Sequence, residues 1–150
     1  TLNDLNHVIT DSLSLFQDAH KDIEFHFFQG EGIPQLRIDA EKIKRVMVNL
    51  LDNAVAAMNN EHSTIEVRTL YDAAVNRVFV EVADNGCGVP SKYKFKIFEP
   101  YFSTKKSGSG LGFAIVSSII ADHHGNVSVR DNEPTGTVVS FDLPVSENQA

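Results

Sequence analysis

The chain has 150 residues, with 13 lysines and arginines against 20 aspartates and glutamates and a formal net charge of −7. That length supports one domain with its own core, and the acidic balance argues against a nucleic-acid partner. A single cysteine, Cys87, rules out an internal disulfide and fits a reducing, cytoplasmic setting, while no apolar run is long enough to span a bilayer and no signal-peptide pattern is present, so no membrane contact is expected of this segment.

Taken in order, Leu5, Val8, Ile9, Leu13 and Phe16 recur at threes and fours between Thr1 and Ala19, with Asn3 or Asp4 placed to cap them. This spacing predicts an amphipathic helix over residues 1–20. Ile23 to Phe27 alternates and predicts a half-buried strand, followed by a turn from Gly30 to Pro34. His7, His20 and His26 fall at no metal-ligand spacing and read as surface or strand-face residues. Asp39 then caps a second helix whose broad apolar face is Ile43, Val46, Met47, Leu50, Leu51, Ala54 and Met58. Asn49 and Asn53 lie beside that face, one turn apart and in line with Lys42. Asparagine is a mediocre helix former, so the pair either hydrogen-bonds to neighbouring structure or holds something polar. Two amide oxygens near a triphosphate suit part of a magnesium coordination shell.

Thr64 to Leu70 and Arg77 to Ala83 predict two strands joined through Tyr71 to Asn76. Asp84-Asn85-Gly86-Cys87-Gly88-Val89 follows at the strand's end, so the Asp84 carboxylate is expected at the mouth of a pocket. Residues 90–109 carry lysines together with Phe95, Phe98, Tyr101 and Phe102, a mixture unlike an ordinary solvated loop. Gly108-Ser109-Gly110-Leu111-Gly112 then opens a helix from Leu111 to His123, which Gly125 ends. Asn126 to Arg130 and Thr137 to Leu143 are the closing strands, the second entered through Gly136, and Ser146 to Ala150 reads as a frayed end. Glycine clusters on both sides of a basic, aromatic segment predict a loop that closes over a ligand. The free N–H groups of a helix start favour phosphate. The second cluster lacks the Lys-Ser/Thr ending of a P-loop and follows a lid rather than a first strand, which disfavours the P-loop and dinucleotide folds. The element order predicts an α/β (α+β) two-layer sandwich, with helices on one face of a mixed, mostly antiparallel sheet.

As a set, these residues resemble the catalytic ATP-binding domain of bacterial sensor histidine kinases, in the gyrase, Hsp90, histidine kinase and MutL superfamily. Asn49-Leu50-Leu51-Asp52-Asn53-Ala54 looks like the N box and Asp84-Asn85-Gly86-Cys87-Gly88 like the G1 box. Phe98-Glu99-Pro100-Tyr101-Phe102-Ser103-Thr104-Lys105 resembles the F box of nitrogen-regulation-type kinases, Gly108 to Gly112 the G2 box, and Gly136-Thr137 the final glycine-threonine element. The five motifs stand in the family's order across residues 20–145. Phe113, where leucine is usual, and Asn126, where a second glycine is common, depart from the pattern as packing changes, and Ser91 to Lys96 is basic and aromatic where acidic residues are common.

The resemblance implies a Bergerat-type ATP-binding fold with a mobile ATP lid over residues 85–110, and a role for each motif residue. Asp84 would accept a hydrogen bond from the adenine amino group, with Thr137 beside it. Asn53 would coordinate Mg²⁺ and Asn49 would assist. Thr104, Lys105 and the Gly108, Gly110, Leu111 and Gly112 backbone would hold the phosphates, while Gly86 and Gly88 would let the backbone pass the adenine. The ATPase branches of the superfamily place a glutamate base at the position of Asn49, and an amide cannot take a proton at neutral pH. The implied activity is therefore transfer of the γ-phosphate to a histidine on a separate dimerisation domain, with a response regulator downstream. His7-Val8 does not match the acceptor's His-Glu or His-Asp context, so residues 1–20 are expected to follow a dimerisation hairpin in a longer parent protein, and Thr1 to be a boundary rather than a natural start. An ATPase of the same superfamily and an inactive nucleotide-binding interaction module are the alternatives.

Overall fold

The computed structural model describes residues 2–59, 61–89 and 112–145. Among them the elements run β1 (Leu2–Asn3), α1 (Leu5–Ala19), β2 (Glu24–Phe28), β3 (Leu36–Arg37), α2 (Ala40–Ala56), β4 (Thr64–Asp72), β5 (Arg77–Asp84), α3 (Gly112–Asp122), β6 (Val127–Asp131) and β7 (Thr137–Pro144). The predicted helices and strands are all present, with ends displaced by a residue or two, except that the first helix, expected over residues 1–20, starts only at Leu5 after the Asp4 cap because Leu2 and Asn3 pair as a strand. The pair β1 and β3 was not anticipated: each is two residues long and too short to leave a periodic signal, yet they join antiparallel through Leu2↔Arg37 and Asn3↔Leu36.

The main sheet has the order β2-β4-β5-β7-β6. Only β2 against β4 is parallel, and the other three pairings are antiparallel. Register places Phe25, Ile65, Asp84, Thr137 and Asp131 in one row, and Phe27, Val67, Val82, Val139 and Val129 in the next. Because side chains alternate between faces, these rows share one face with Val78, Val80, Phe141 and Leu143. The three helices pack in a single layer, α2 between α1 and α3. The result is the two-layer sandwich read from the element order. The other face carries cross-strand ion pairs, with Arg130 Nη1 2.9 Å from Glu81 Oε2 and Arg77 Nε 3.2 Å from Asp142 Oδ2.

The helices form where the sequence caps them. Asp4 accepts from His7 N and Asp39 from Lys42 N, each through its side-chain oxygen. Ile43, Val46, Met47, Leu50, Leu51 and Ala54 are the buried face of α2 and Leu5, Val8, Ile9, Leu13 and Phe16 the apolar part of that of α1, so the spacing of apolar residues in the sequence located both seams. The C-terminus of α3 differs from expectation in its mechanism. His124, not Gly125, takes the left-handed conformation at φ 63°, while Gly125 is required because a Cβ there would lie 2.0 Å from Asp142 O. His123 links this end to the start of α2: its Nε2 accepts from Asp39 N at 3.1 Å and its Nδ1 lies 2.8 Å from Ile119 O.

Candidate nucleotide site

The site lies at the end of the sheet where β5 stops and β7 begins. Asp84 is the last residue of β5 and is paired in register with Thr137, the first of β7; both are only 6% exposed. A carboxylate this enclosed loses much of its hydration and has to be compensated by donors. Gly86 N supplies one at 2.9 Å, donating to Asp84 Oδ1 across a tight turn. An ionised carboxylate has about four lone-pair positions, so it can accept from several donors at once.

The turn that follows is bolted to the end of α2. Cys87 N donates to Ala57 O at 3.0 Å, and a Cβ on Gly86 would stand 2.4 Å from that same oxygen. Gly86 is thus required by close approach. Asn85 fastens the turn to the start of β4: Thr64 N donates to its Oδ1 at 2.9 Å and its Nδ2 donates to His62 O at 2.6 Å. On the opposite side stands the β6–β7 loop, where Asn132 Nδ2 donates to Asp84 O at 2.9 Å and Thr135 Oγ1 to Gly86 O at 2.8 Å.

Gly136 completes this wall. Its φ is +109°, a conformation that side-chain-bearing residues rarely adopt, and a Cβ would lie 1.9 Å from Asp84 O. Gly136→Ala is therefore expected to lower unfolding free energy by roughly 2–3 kcal/mol, the scale of a strained backbone with no room to relax. Urea denaturation checks this, and an unchanged midpoint would show that the wall gives way easily. Gly88, at φ +77°, faces the same strand entry, since its Cβ would be 3.3 Å from Gly136 O.

The asparagines are brought to the same place. Asn53 Nδ2 donates to Asn49 O at 2.9 Å, one turn back along α2. This bond orients the Asn53 amide, whose oxygen is a neutral hard donor of the kind Mg²⁺ prefers. Asn49 Nδ2 is enclosed and has no hydrogen-bond partner among the described residues. An unmatched buried N–H of this kind suits a phosphate oxygen, and the amide oxygen on the same side chain suits a cation, so the pair fits a magnesium polyphosphate. Gly112, where α3 begins, adjoins them, with a Cβ there 3.3 Å from Asn53 Nδ2.

The structure therefore gathers Asn49, Asn53, Asp84, Gly86, Gly88, Gly112 and Thr137 around one end of the sheet. Thr104, Lys105, Gly108, Gly110 and Leu111, and with them the F box and the greater part of the expected lid, lie outside the described residues. Asn132 and Thr135 were missed by sequence reasoning. They sit in an ordinary turn-forming run, and nothing local indicates that their side chains reach residues 48 and 49 positions earlier.

Comparison with known proteins meets this geometry. The family described as "Histidine kinase-, DNA gyrase B-, and HSP90-like ATPase" matches residues 38–147. The sensor histidine kinase ZraS of Klebsiella oxytoca is 40% identical over 149 residues, covering 97% of this chain but 32% of that protein. The chain spans less than a third of the length of such relatives. The solved catalytic domain of histidine kinase ThkA superposes with a TM-score of 0.87 at 31% identity, covering 100% of this chain and 98% of that one. ThkA in complex with response regulator protein TrrA gives a TM-score of 0.83 at 29% identity, over 100% of this chain and 43% of the larger one.

Proposed function

We infer that this site holds Mg-ATP and presents its γ-phosphate to a histidine on a separate domain, because the chain belongs to the family of histidine kinase-, DNA gyrase B- and HSP90-like ATPases and is an ATP-binding catalytic domain of the sensor histidine kinase type. The observation that carries the base assignment is the buried Asp84 carboxylate, held by Gly86 N at the strand end beside Thr137. A carboxylate in that position accepts the adenine amino group, and guanine, with a carbonyl there, meets it acceptor to acceptor. Gly86 and Gly88, whose missing side chains would meet Ala57 O and Gly136 O, let the backbone turn tightly beside the base, while Thr137 stands next to the carboxylate.

Asn53 would hold Mg²⁺ with Asn49 beside it, and the Asn49 N–H would meet a phosphate oxygen. Bound Mg²⁺ neutralises phosphate charge and fixes the direction of the γ-phosphate. The Gly112 end of α3 adds backbone N–H groups on that side, and Thr104, Lys105, Gly108, Gly110 and Leu111 are proposed to complete the phosphate grip. In the reaction an acceptor imidazole nitrogen forms a bond to the γ-phosphorus as the bond to the bridging oxygen of ADP breaks, and ADP leaves. Neither Asn49 nor Asn53 can accept a proton at neutral pH, so water is not activated by these residues. Positioning and charge stabilisation supply the acceleration.

The acceptor is proposed to be a histidine on the parent protein's dimerisation domain, and the next recipient a response regulator; ThkA, solved with TrrA, is a similar chain in such a complex. A cytoplasmic site of action accords with these partners, and no described helix is long and apolar enough to cross a membrane.

The magnesium assignment is tested with Asn53→Ala. Its ATP affinity is expected to lose its dependence on Mg²⁺ while adenosine binding stays nearly intact, because the base is held at the other side of the site. Calorimetry with both ligands, with and without Mg²⁺, reads this directly. Equal loss for ATP and adenosine would make Asn53 a structural residue.

A further inference from the structure

We propose that Asn132 and Thr135, in the β6–β7 loop, are positioning residues for base discrimination; this rests on the assignment of Asp84 to the adenine amino group. The Asp84 carboxylate accepts from Gly86 N at 2.9 Å, a bond that helps to set its direction. That N–H belongs to the Asn85–Gly86 peptide, and the peptides on either side carry the Asp84 and Gly86 carbonyls. Both carbonyls are taken by side chains of the same loop, Asp84 O by Asn132 Nδ2 at 2.9 Å and Gly86 O by Thr135 Oγ1 at 2.8 Å. A peptide plane cannot turn without moving its carbonyl, so holding both neighbours fixes the Cα positions on either side of the Asn85–Gly86 peptide and narrows the range open to its N–H.

The loop is itself braced for this task. Asn132 N donates to Gly136 O at 3.1 Å, and Asn132 Oδ1 accepts from Glu133 N at 2.9 Å. Both ends of the Asn132 amide are therefore committed, one inward to its own loop and one across to Asp84. The close approach at Gly136 is what lets the loop come near enough to reach past β7 to the end of β5. The turn is also held to the start of β4 by Asn85 and to the end of α2 by Cys87 N on Ala57 O, so loss of the loop's contacts is expected to loosen the carboxylate's angle without unfolding the turn.

The consequence is selective. A hydrogen bond to the adenine amino group depends steeply on angle, whereas stacking of a purine and grip on the phosphates do not. Asn132→Ala and Thr135→Val are each expected to lower affinity for ATP roughly three- to tenfold, the range for one lost buried hydrogen bond. Affinity for purine riboside triphosphate, which lacks the exocyclic amino group, is expected to stay within about twofold of the wild-type chain, since it never used the carboxylate. Thr135→Ser, which keeps the hydroxyl, is expected to restore wild-type preference.

The experiment is titration calorimetry of the 150-residue chain and these variants with both triphosphates, alongside Asp84→Asn as reference. A narrowed preference for ATP in Asn132→Ala and Thr135→Val, with rescue by Thr135→Ser, establishes the proposal. Equal losses for both triphosphates, or none for either, while Asp84→Asn still abolishes the preference, overturn the loop's role and leave the Asp84 assignment standing. If Asp84→Asn also leaves the preference unchanged, the adenine assignment fails and the loop's role falls with it.

Discussion

Asp84→Asn is expected to reduce ATP affinity by roughly ten- to hundredfold, the equivalent of about 1.5–3 kcal/mol for a charge-assisted hydrogen bond in an enclosed site. The geometry says why the near-isosteric change is so costly. Gly86 N already donates to one carboxylate oxygen at 2.9 Å. An asparagine keeps that bond only by turning its carbonyl toward Gly86. Its NH₂ then occupies the position of the other carboxylate oxygen, where, on the proposed base assignment, it would face the adenine amino group donor to donor. The turn itself is expected to survive, because Asn85, Ala57, Asn132 and Thr135 hold it through other atoms. Calorimetry on the folded variant decides the matter, and unchanged affinity would remove Asp84 from base recognition.

Much of this arrangement was legible before any coordinates. The helix faces were readable because burial leaves a period in the sequence, and the three-and-four spacing of Leu5 to Phe16 and of Ile43 to Ala54 is that period. Asp84, Asn49 and Asn53 were readable for the opposite reason: each is a polar residue at the end or edge of an apolar element, where packing alone gives no cause for it. What could not be read was contact between distant loops. Asn132 and Thr135 have the composition of any turn, and their work depends on Gly136 O, Asp84 O and Gly86 O meeting in space. Gly125 shows a subtler limit. A glycine after a helix predicts a left-handed residue there, yet His124 takes that conformation and Gly125 answers to the carbonyl of Asp142 on a neighbouring strand.

The same geometry explains how α2 serves two ends of one ligand. Ala57 O at its end receives Cys87 N, on the proposed base side, and the two turns before it carry Asn53 and Asn49, the residues proposed for the phosphate side. The helix is held by six fully or almost fully buried apolar residues between α1 and α3. Base and phosphate subsites are thus spaced by a rigid element, as a reaction that depends on positioning requires.

The central claim is that the site delivers the γ-phosphate to a histidine and not to water, and the second large effect follows from Asn49. Without a proton acceptor at that position, the 150-residue chain is expected to bind Mg-ATP yet neither hydrolyse it appreciably nor label itself. Supplied as a separate chain, the phosphoacceptor helices of the parent protein are expected to become labelled, slowly, because the two parts must meet at bulk concentration instead of across a linker. The most direct measurement is therefore incubation with ATP labelled at the γ-phosphate, with and without those helices, followed by acid and base treatment of the products. Acid-labile, base-stable label is expected on the added chain, with little free phosphate in its absence. Rapid release of labelled inorganic phosphate by the 150-residue chain alone would contradict it and place the domain with the water-activating ATPases.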